Sequence, residues 1–212
     1  MRITLLSAAL LATGITYAAT PIDGWYTSVF GGYTFVPDNV DNTAFGQLIN
    51  QSSFNKGYNV GGRIGYKSNP LRYEGEYTFI HANARYFQIN LLGQTGVSGY
   101  STANLVMANV YYDTPEILPA IAPYLGFGIG YAYVQDQLDS TGPIGNTYFY
   151  TTNSSFAYQG TAGLTYNFSE NYAINLAYRY VATSSSNNLG SVFQAHIANA
   201  GVIYRFDIGN YK

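Results

Sequence analysis

The run Leu71-Arg72-Tyr73-Glu74-Gly75-Glu76-Tyr77-Thr78-Phe79-Ile80-His81 alternates two unlike kinds of side chain. Successive side chains of an extended chain point to opposite faces. One face therefore carries Leu71, Tyr73, Gly75, Tyr77 and Phe79, and the other Arg72, Glu74, Glu76 and Thr78. Such a strand can be the half-buried wall of a soluble sandwich, with its charges in water. It can equally be the wall of a membrane barrel, with its charges turned into the lumen.

Composition separates the two. Charged residues make up 9% of the 212, against roughly 25% in ordinary soluble domains, and a water-facing surface needs far more of them. Aromatic residues reach 17%, with 23 Tyr and 23 Gly. Mean hydropathy is nevertheless close to zero, which argues against a bundle of membrane helices. A transmembrane β-barrel gives this combination, because its lipid and lumen faces average out. A soluble up-and-down barrel of the lipocalin kind would need charges outside, and there are too few to cover it. With no cysteine in the chain, disulfides, thiolate metal sites and cysteine nucleophiles are excluded. A formal charge of −2 gives no footing for nucleic acid.

Residues 1–18 read as a cleaved secretory signal. Arg2 is a minimal positive start, residues 3–14 are apolar or small, and Thr16-Tyr17-Ala18 places small residues at −3 and −1. The apolar stretch is too short for a spanning helix, which needs about 20 residues. Eight strands with period-two alternation follow, over residues 24–36, 57–67, 71–81, 100–113, 124–134, 155–168, 172–182 and 194–207. An even number of strands of this length suits tilted bilayer crossings of about 9–11 residues. The connections alternate: 37–56, 82–99, 135–154 and 183–193 are long and polar, whereas 68–70, 114–123 and 169–171 are shorter. Long outer loops and short periplasmic turns are the asymmetry of an outer-membrane barrel. The expected fold is all-β: an eight-stranded antiparallel transmembrane up-and-down β-barrel over residues 24–207. Both termini are expected in the periplasm, with 208–212 as a tail.

Particular segments carry a family resemblance. Trp25-Tyr26-Thr27-Ser28-Val29-Phe30-Gly31-Gly32-Tyr33 resembles the first strand of the OmpA/OmpX/opacity-like outer membrane β-barrel proteins. Asn109-Val110-Tyr111-Tyr112-Asp113 and Pro123-Tyr124-Leu125-Gly126-Phe127-Gly128-Ile129-Gly130-Tyr131 resemble later strands. Gly201-Val202-Ile203-Tyr204-Arg205-Phe206 is similar to the closing strand. The resemblance covers essentially the whole chain after the signal. It implies a Gram-negative outer membrane, and it makes Phe206 the terminal aromatic read by the barrel-assembly machinery. It also implies host-surface or matrix adhesion, immune evasion or envelope integrity. The chain departs from the pattern by continuing past Phe206 and is expected to lack the peptidoglycan-binding domain of full-length OmpA.

One charged side chain on the lipid face near midplane costs about 2–4 kcal/mol. Arg63, Arg72, Glu74, Glu76, Arg179 and Arg205 are therefore expected to point inward. The turn at 68–70 sets Arg63 opposite Glu74 or Glu76, depending on register. An eight-stranded barrel is just wide enough for side chains to fill, so these residues read as a packed lumen polar network. Gly126, Gly128 and Gly130 are expected to make room for Arg and Tyr. A membrane-interface girdle is assigned to Trp25, Tyr33, Tyr66, Tyr73, Tyr77, Phe79, Tyr112, Tyr131, Tyr178 and Tyr204, since amphipathic rings favour the headgroup level.

Other motifs read as structural. Gly126-Phe127-Gly128-Ile129-Gly130 lacks the strand–turn–helix setting of a nucleotide loop. His81 and His196 read as rim residues at outer strand ends. Two lone histidines make a poor metal site, and neither pairs closely with a serine on a lipid-facing strand. The chain is expected to be no enzyme and to need no cofactor. Its expected function is structural in the envelope, with surface recognition or adhesion through four outer loops. Those loops are rich in Asn, Ser, Thr, Gly and Tyr, with apolar points at Phe45, Leu48, Ile49, Phe87, Leu91, Leu92, Phe149 and Phe193; such composition suits adaptable contacts. The expected partners are outer-membrane lipid, the assembly machinery and a host or cell-surface ligand, and the expected state is a monomer. The alternatives are a narrow porin-like channel and a lipid A-modifying enzyme.

Overall fold

A computed structural model describes residues 23–37, 42–44, 47–54, 57–89, 92–93, 96, 98–117, 120–142, 145–184 and 193–206. The expected signal segment and the tail lie outside the described residues. Eleven strands are described: β1 Gly24–Phe35, β2 Asn42–Ala44, β3 Gln47–Phe54, β4 Gly57–Ser68, β5 Leu71–Ile89, β6 Leu92–Gly93, β7 Ser98–Asp113, β8 Ile121–Gly142, β9 Gly145–Asn167, β10 Tyr172–Thr183 and β11 Gln194–Arg205. Eight of them pair antiparallel in the order β1, β4, β5, β7, β8, β9, β10, β11, and β11 returns to pair with β1. The result is the expected closed eight-stranded antiparallel barrel, which leaves no open sheet edge. The short strands β2, β3 and β6 extend the sheet beside the upper part of β5.

The registers fix the width of the barrel. One path around the ring runs Thr34, Ile197, Arg179, Thr161, Gly126, Tyr111, Arg72, Lys67. It arrives on β4 ten residues from Gly57, the direct partner of Thr34. Eight strands with a stagger of ten imply a tilt of about 40° and a backbone radius of about 8 Å, from ordinary strand spacings. Side chains from opposite walls can therefore meet at the axis.

The alternation seen in Leu71–Ile89 runs through the wall. On β5, Arg72, Glu74, Glu76, Thr78 and Ile80 are buried, while Leu71, Tyr73 and Tyr77 are exposed. The outer surface is apolar without interruption at mid-wall: Val29, Leu125, Leu176 and Ile64 stand more than half exposed. A surface of this kind fits hydrocarbon rather than water. The start of β1 and the end of β11 share one end of the barrel with the short turn at Asn69 and Pro70, the residues 114–117 that follow β7 and the turn 168–171. Backbone hydrogen bonds tie this terminus end together, from Asp113 N to Pro70 O at 2.8 Å, Arg205 N to Asn171 O at 2.7 Å and Phe206 N to Trp25 O at 2.9 Å.

Three of the expected long loops are instead partly strand. Residues 135–154 continue β8 and β9 into a paired ribbon that runs to Gly142 and Gly145. Residues 82–99 hold the upper part of β5, the short β6 and the start of β7. The supposedly aperiodic 37–56 contains β2 and β3, the latter paired with β5. The physical reason is that a ribbon beyond the wall has no lipid-facing side, so its pairing needs no apolar–polar alternation. In the fourth link, Thr183 N donates to the Phe193 carbonyl at 2.9 Å and Phe193 N donates to the Thr183 hydroxyl at 3.0 Å; residues 185–192 lie outside the described set.

Candidate functional site

The lumen is where polar chemistry is concentrated, and it has two unlike fillings. Nearest the terminus end, charged side chains from five strands converge. Arg63 on β4 lies 3.5 Å from Glu74 and 3.3 Å from Glu76, so both carboxylates that its register left open are partners. Arg72 reaches Glu74 at 3.3 Å and Asp113 at 2.8 Å. Glu76 also pairs with Arg179, from the opposite side of the barrel, and accepts from Thr78 at 3.0 Å. Arg179 is fully buried and donates to Gln159 at 2.8 Å; Gln159 in turn donates to Asn109 at 2.6 Å. Tyr26 donates its hydroxyl hydrogen to Glu74. Arg205 stands apart from the carboxylates and donates to Asn167 at 2.6 Å and to the Glu170 carbonyl at 3.2 Å.

Aromatic rings complete this region. The Arg63 guanidinium lies 4.3 Å from the Phe30 ring centre, and that of Arg72 lies 4.5 Å and 5.0 Å from Tyr124 and Tyr111. Contacts of this kind attract a cation to the ring face while the carboxylates neutralise it. Inward glycines accommodate the rings by register. Tyr26 sits opposite Gly65, Phe30 opposite Gly61, Tyr111 opposite Gly126 and Tyr124 opposite Gly163. A Cβ built on Gly126 would fall 2.0 Å from the Tyr111 ring. Gly128 makes room for Asn109 and Gly130 for Met107. The expected tyrosine is thus present beside Gly126, but no arginine uses these glycines, because register places Arg72 and Arg63 over other strands.

Farther from the terminus end, the filling is mainly apolar, with the buried Asn59 donating to Thr34 at 3.1 Å on the β1–β4 side. Ile80, Ala103, Leu105, Met107, Ala132, Val134, Ala157, Val181, Ala195 and Ile197 form one buried cluster, with Phe193 packed against it from the β10–β11 link. Six of the eight wall strands contribute, so the cluster is a septum across the lumen. Leu105, Ala157, Val181, Ala195 and Ile197 are fully buried. Above it, burial pushes the Asp136 carboxyl above the ordinary carboxylate range, opposed by a hydrogen bond with Ser101. Tyr26, Phe30, Asn109, Asp113, Gln159 and Asn167 were not singled out from sequence. For Tyr26, Phe30, Asn109 and Gln159 the signal was the inward face of an aromatic-rich strand with a glycine across the register.

The outer wall carries the aromatic residues assigned to the girdle. Trp25, Tyr33, Tyr66, Tyr73, Tyr77, Tyr112, Tyr131, Tyr178 and Tyr204 are exposed there, and Phe79 is half-buried, 6.4 Å from the Tyr58 ring. Trp25 packs edge-on against Tyr66, centroids 5.5 Å apart. His81 stacks on Tyr100 at 5.6 Å, and His196 takes a 2.6 Å hydrogen bond with Tyr178. The histidines thus lie on separate aromatic clusters, and no group of three metal-ligating side chains occurs among the described residues. Phe206 packs edge-on against Tyr204 at 5.3 Å.

Known proteins share this architecture. A curated outer membrane protein of Gluconacetobacter diazotrophicus is 30% identical over 200 residues, covering 85% of this chain and 52% of that protein. An uncharacterised protein of Brucella abortus is 34% identical over 90 residues, covering 40% of this chain. The chain spans about half the length of the first relative and 31% of the second. Among solved structures, Neisserial surface protein A superposes with a TM-score of 0.56 at 18% identity, covering 86% of this chain and 97% of that one. OprG of Pseudomonas aeruginosa gives 0.56 at 13% identity, covering 88% and 99%. The family model described as the outer membrane protein beta-barrel domain matches residues 3–206. With that match over nearly the whole chain, the protein belongs to the outer membrane β-barrel family and resides in the bacterial outer membrane.

Proposed function

We propose that this protein is a closed, non-conducting wall element of the envelope that presents the β8–β9 ribbon for surface recognition. The observation that supports the reading is the pairing of an apolar septum with a projecting strand ribbon. The septum packs apolar side chains from six of the eight wall strands across the barrel interior, and an eight-stranded barrel has little width to spare around it. The ribbon continues nine residues past Tyr133 to Gly142, about 30 Å along the strand at ordinary rise. Tyr148 and Tyr150 stand exposed on it, and tyrosines on a rigid support make large contacts at low entropic cost.

The remaining assignments belong to the same reading. The termini face the periplasm, Met1–Ala18 is a signal removed on export, and the barrel works as a monomer without enzymatic activity. The outward rings of Trp25, Tyr66, Tyr131 and Tyr178 serve as the interface girdle, and Phe206 is the aromatic presented to the assembly machinery. The ion-paired network holds the walls in register. The test is to replace residues 136–151, including Asp136 and the ribbon tip, by a two-residue Asn-Gly turn, the short hairpin connection. The barrel is expected to assemble in the outer membrane as before while binding of whole bacteria to host-cell or matrix surfaces falls. Unchanged binding by a correctly assembled variant would remove the ribbon from the function. Discrete conductance steps from the intact chain in planar bilayers would overturn the sealed lumen.

A further inference from the structure

Among the described residues, charges at the terminus end of the lumen do not balance. Below the septum, the described wall holds four buried cations, Arg63, Arg72, Arg179 and Arg205, and the half-buried Lys67, against the buried Glu74 and Glu76 and the half-buried Asp113. Glu74 and Glu76 are held by Arg63, Arg72 and Arg179. Asp113 is left to face the rest: Arg72 at 2.8 Å and Lys67 at 3.7 Å. Arg205, 5% exposed, has no carboxylate within 4.0 Å among the described residues and meets only neutral oxygens. The acidic residues in the nearby turns and terminus, Asp23, Glu116 and Glu170, are exposed to solvent.

Lys67, Arg72, Arg205, Tyr26 and Asn167 line a cavity of about 20 Å³ at this end. Arg72 is 4% exposed, and its Nη2 has no hydrogen-bond partner. A buried guanidinium nitrogen without an acceptor and a surplus of buried cations are both costly unless a counter-charge enters. Guanidinium groups favour oxyanions, which accept paired N–H donors. The volume admits about one water-sized group, too little for a whole nucleotide or sugar acid.

We propose that this cavity binds an oxyanion group, phosphate or carboxylate, entering end-on from the terminus mouth. Lys67, Arg205 and the free Nη2 of Arg72 hold its oxygens, and the remainder of the ligand stays in the open mouth. Asp113 sets the affinity by competing for Lys67 and Arg72.

The test titrates the folded full chain in neutral detergent with inorganic phosphate and, separately, with acetate, each replacing chloride at constant ionic strength. Calorimetric binding and the urea unfolding midpoint are read together, since a ligand bound only to the folded state raises stability with its concentration. Saturable binding of either anion is expected. Phosphate alone would mark a phosphate site, and both anions a general oxyanion site. Arg205→Gln and Lys67→Met should each weaken binding about tenfold or more, the scale of one charge-assisted hydrogen bond. Asp113→Asn should tighten it. Absence of saturable binding by the intact protein would overturn the proposal, as would equal binding by folded Arg205→Gln and Lys67→Met. The Asp113→Asn arm separates this site from general attraction to a basic surface: weaker binding there also overturns it.

Discussion

The two fillings of the lumen solve one problem in opposite ways. Near the terminus end, the walls are joined by directed contacts: Arg179 needs Glu76, Gln159 and Thr78 in place to be buried at all. In the septum, Leu105, Ile197 and Val181 need only volume, and alanines at Ala103, Ala132, Ala157 and Ala195 keep that volume small. The first arrangement specifies register, since a shift by one residue would turn every charge towards lipid. The second excludes water and tolerates exchange among apolar groups of similar size. A barrel of this radius thus uses ion pairs for alignment and aliphatic packing for closure.

The largest expected effect tests the polar half. Arg179→Ala should cost about 3–5 kcal/mol in urea unfolding from detergent or bilayer, because it leaves Glu76 buried without one of its cations. Replacing Arg179 and Glu76 together by methionine should cost less than Arg179→Ala alone, since an apolar pair of similar volume needs no counter-charge. A double variant weaker than the single would show that the pair contributes net stability rather than register. Next in size, Leu105→Ala should cost about 2–4 kcal/mol through the cavity it leaves. A loss larger than that of Arg179→Ala would reverse the ranking of the two halves.

The smallest effect lies above the septum. Burial raises the Asp136 pKa in the folded state, so the native protein favours the protonated carboxyl. Its contribution is therefore neutral below the unfolded carboxylate range near pH 3.9 and becomes a penalty as pH rises through the folded value. Asp136→Asn should be the more stable protein at neutral pH, with the difference closing as the pH is lowered. A difference that stays constant with pH would remove the carboxyl as its cause.

The wall could be read from sequence because lipid forces an unbroken apolar face. Arg63, Arg72, Glu74 and Glu76 could lie only on the other face, and register then brought them together. The ribbon at 135–154 was not readable as strand, since without lipid on one side it loses the alternation that marks a wall strand. The septum was hidden for a different reason. Ala103, Ala132, Ala157 and Ala195 suit either face, and only ring closure shows that they share a layer. The partners of Gly126, Gly128 and Gly130 depended on register with β7, which alternation alone does not supply. Asp113 was legible as the end of a strand, not as the carboxylate shared by Arg72 and Lys67.

The return of β11 onto β1 carries a consequence for biogenesis. Glu76 and Arg179 are 103 positions apart, and their strands share a lumen only once the ends of the sheet have met. In an unclosed sheet, Arg63 and Arg72 would keep their carboxylate partners on β5 and β7 but face hydrocarbon with them, while Arg179 would lose Glu76. A charge exposed near midplane costs about 2–4 kcal/mol. A partly zipped intermediate therefore partitions poorly into the bilayer, while the closed form hides every one of those charges. Insertion and closure become a single cooperative event, paced by contacts between the most distant parts of the chain. The same residues that align the finished wall thereby act as a checkpoint against unfinished ones.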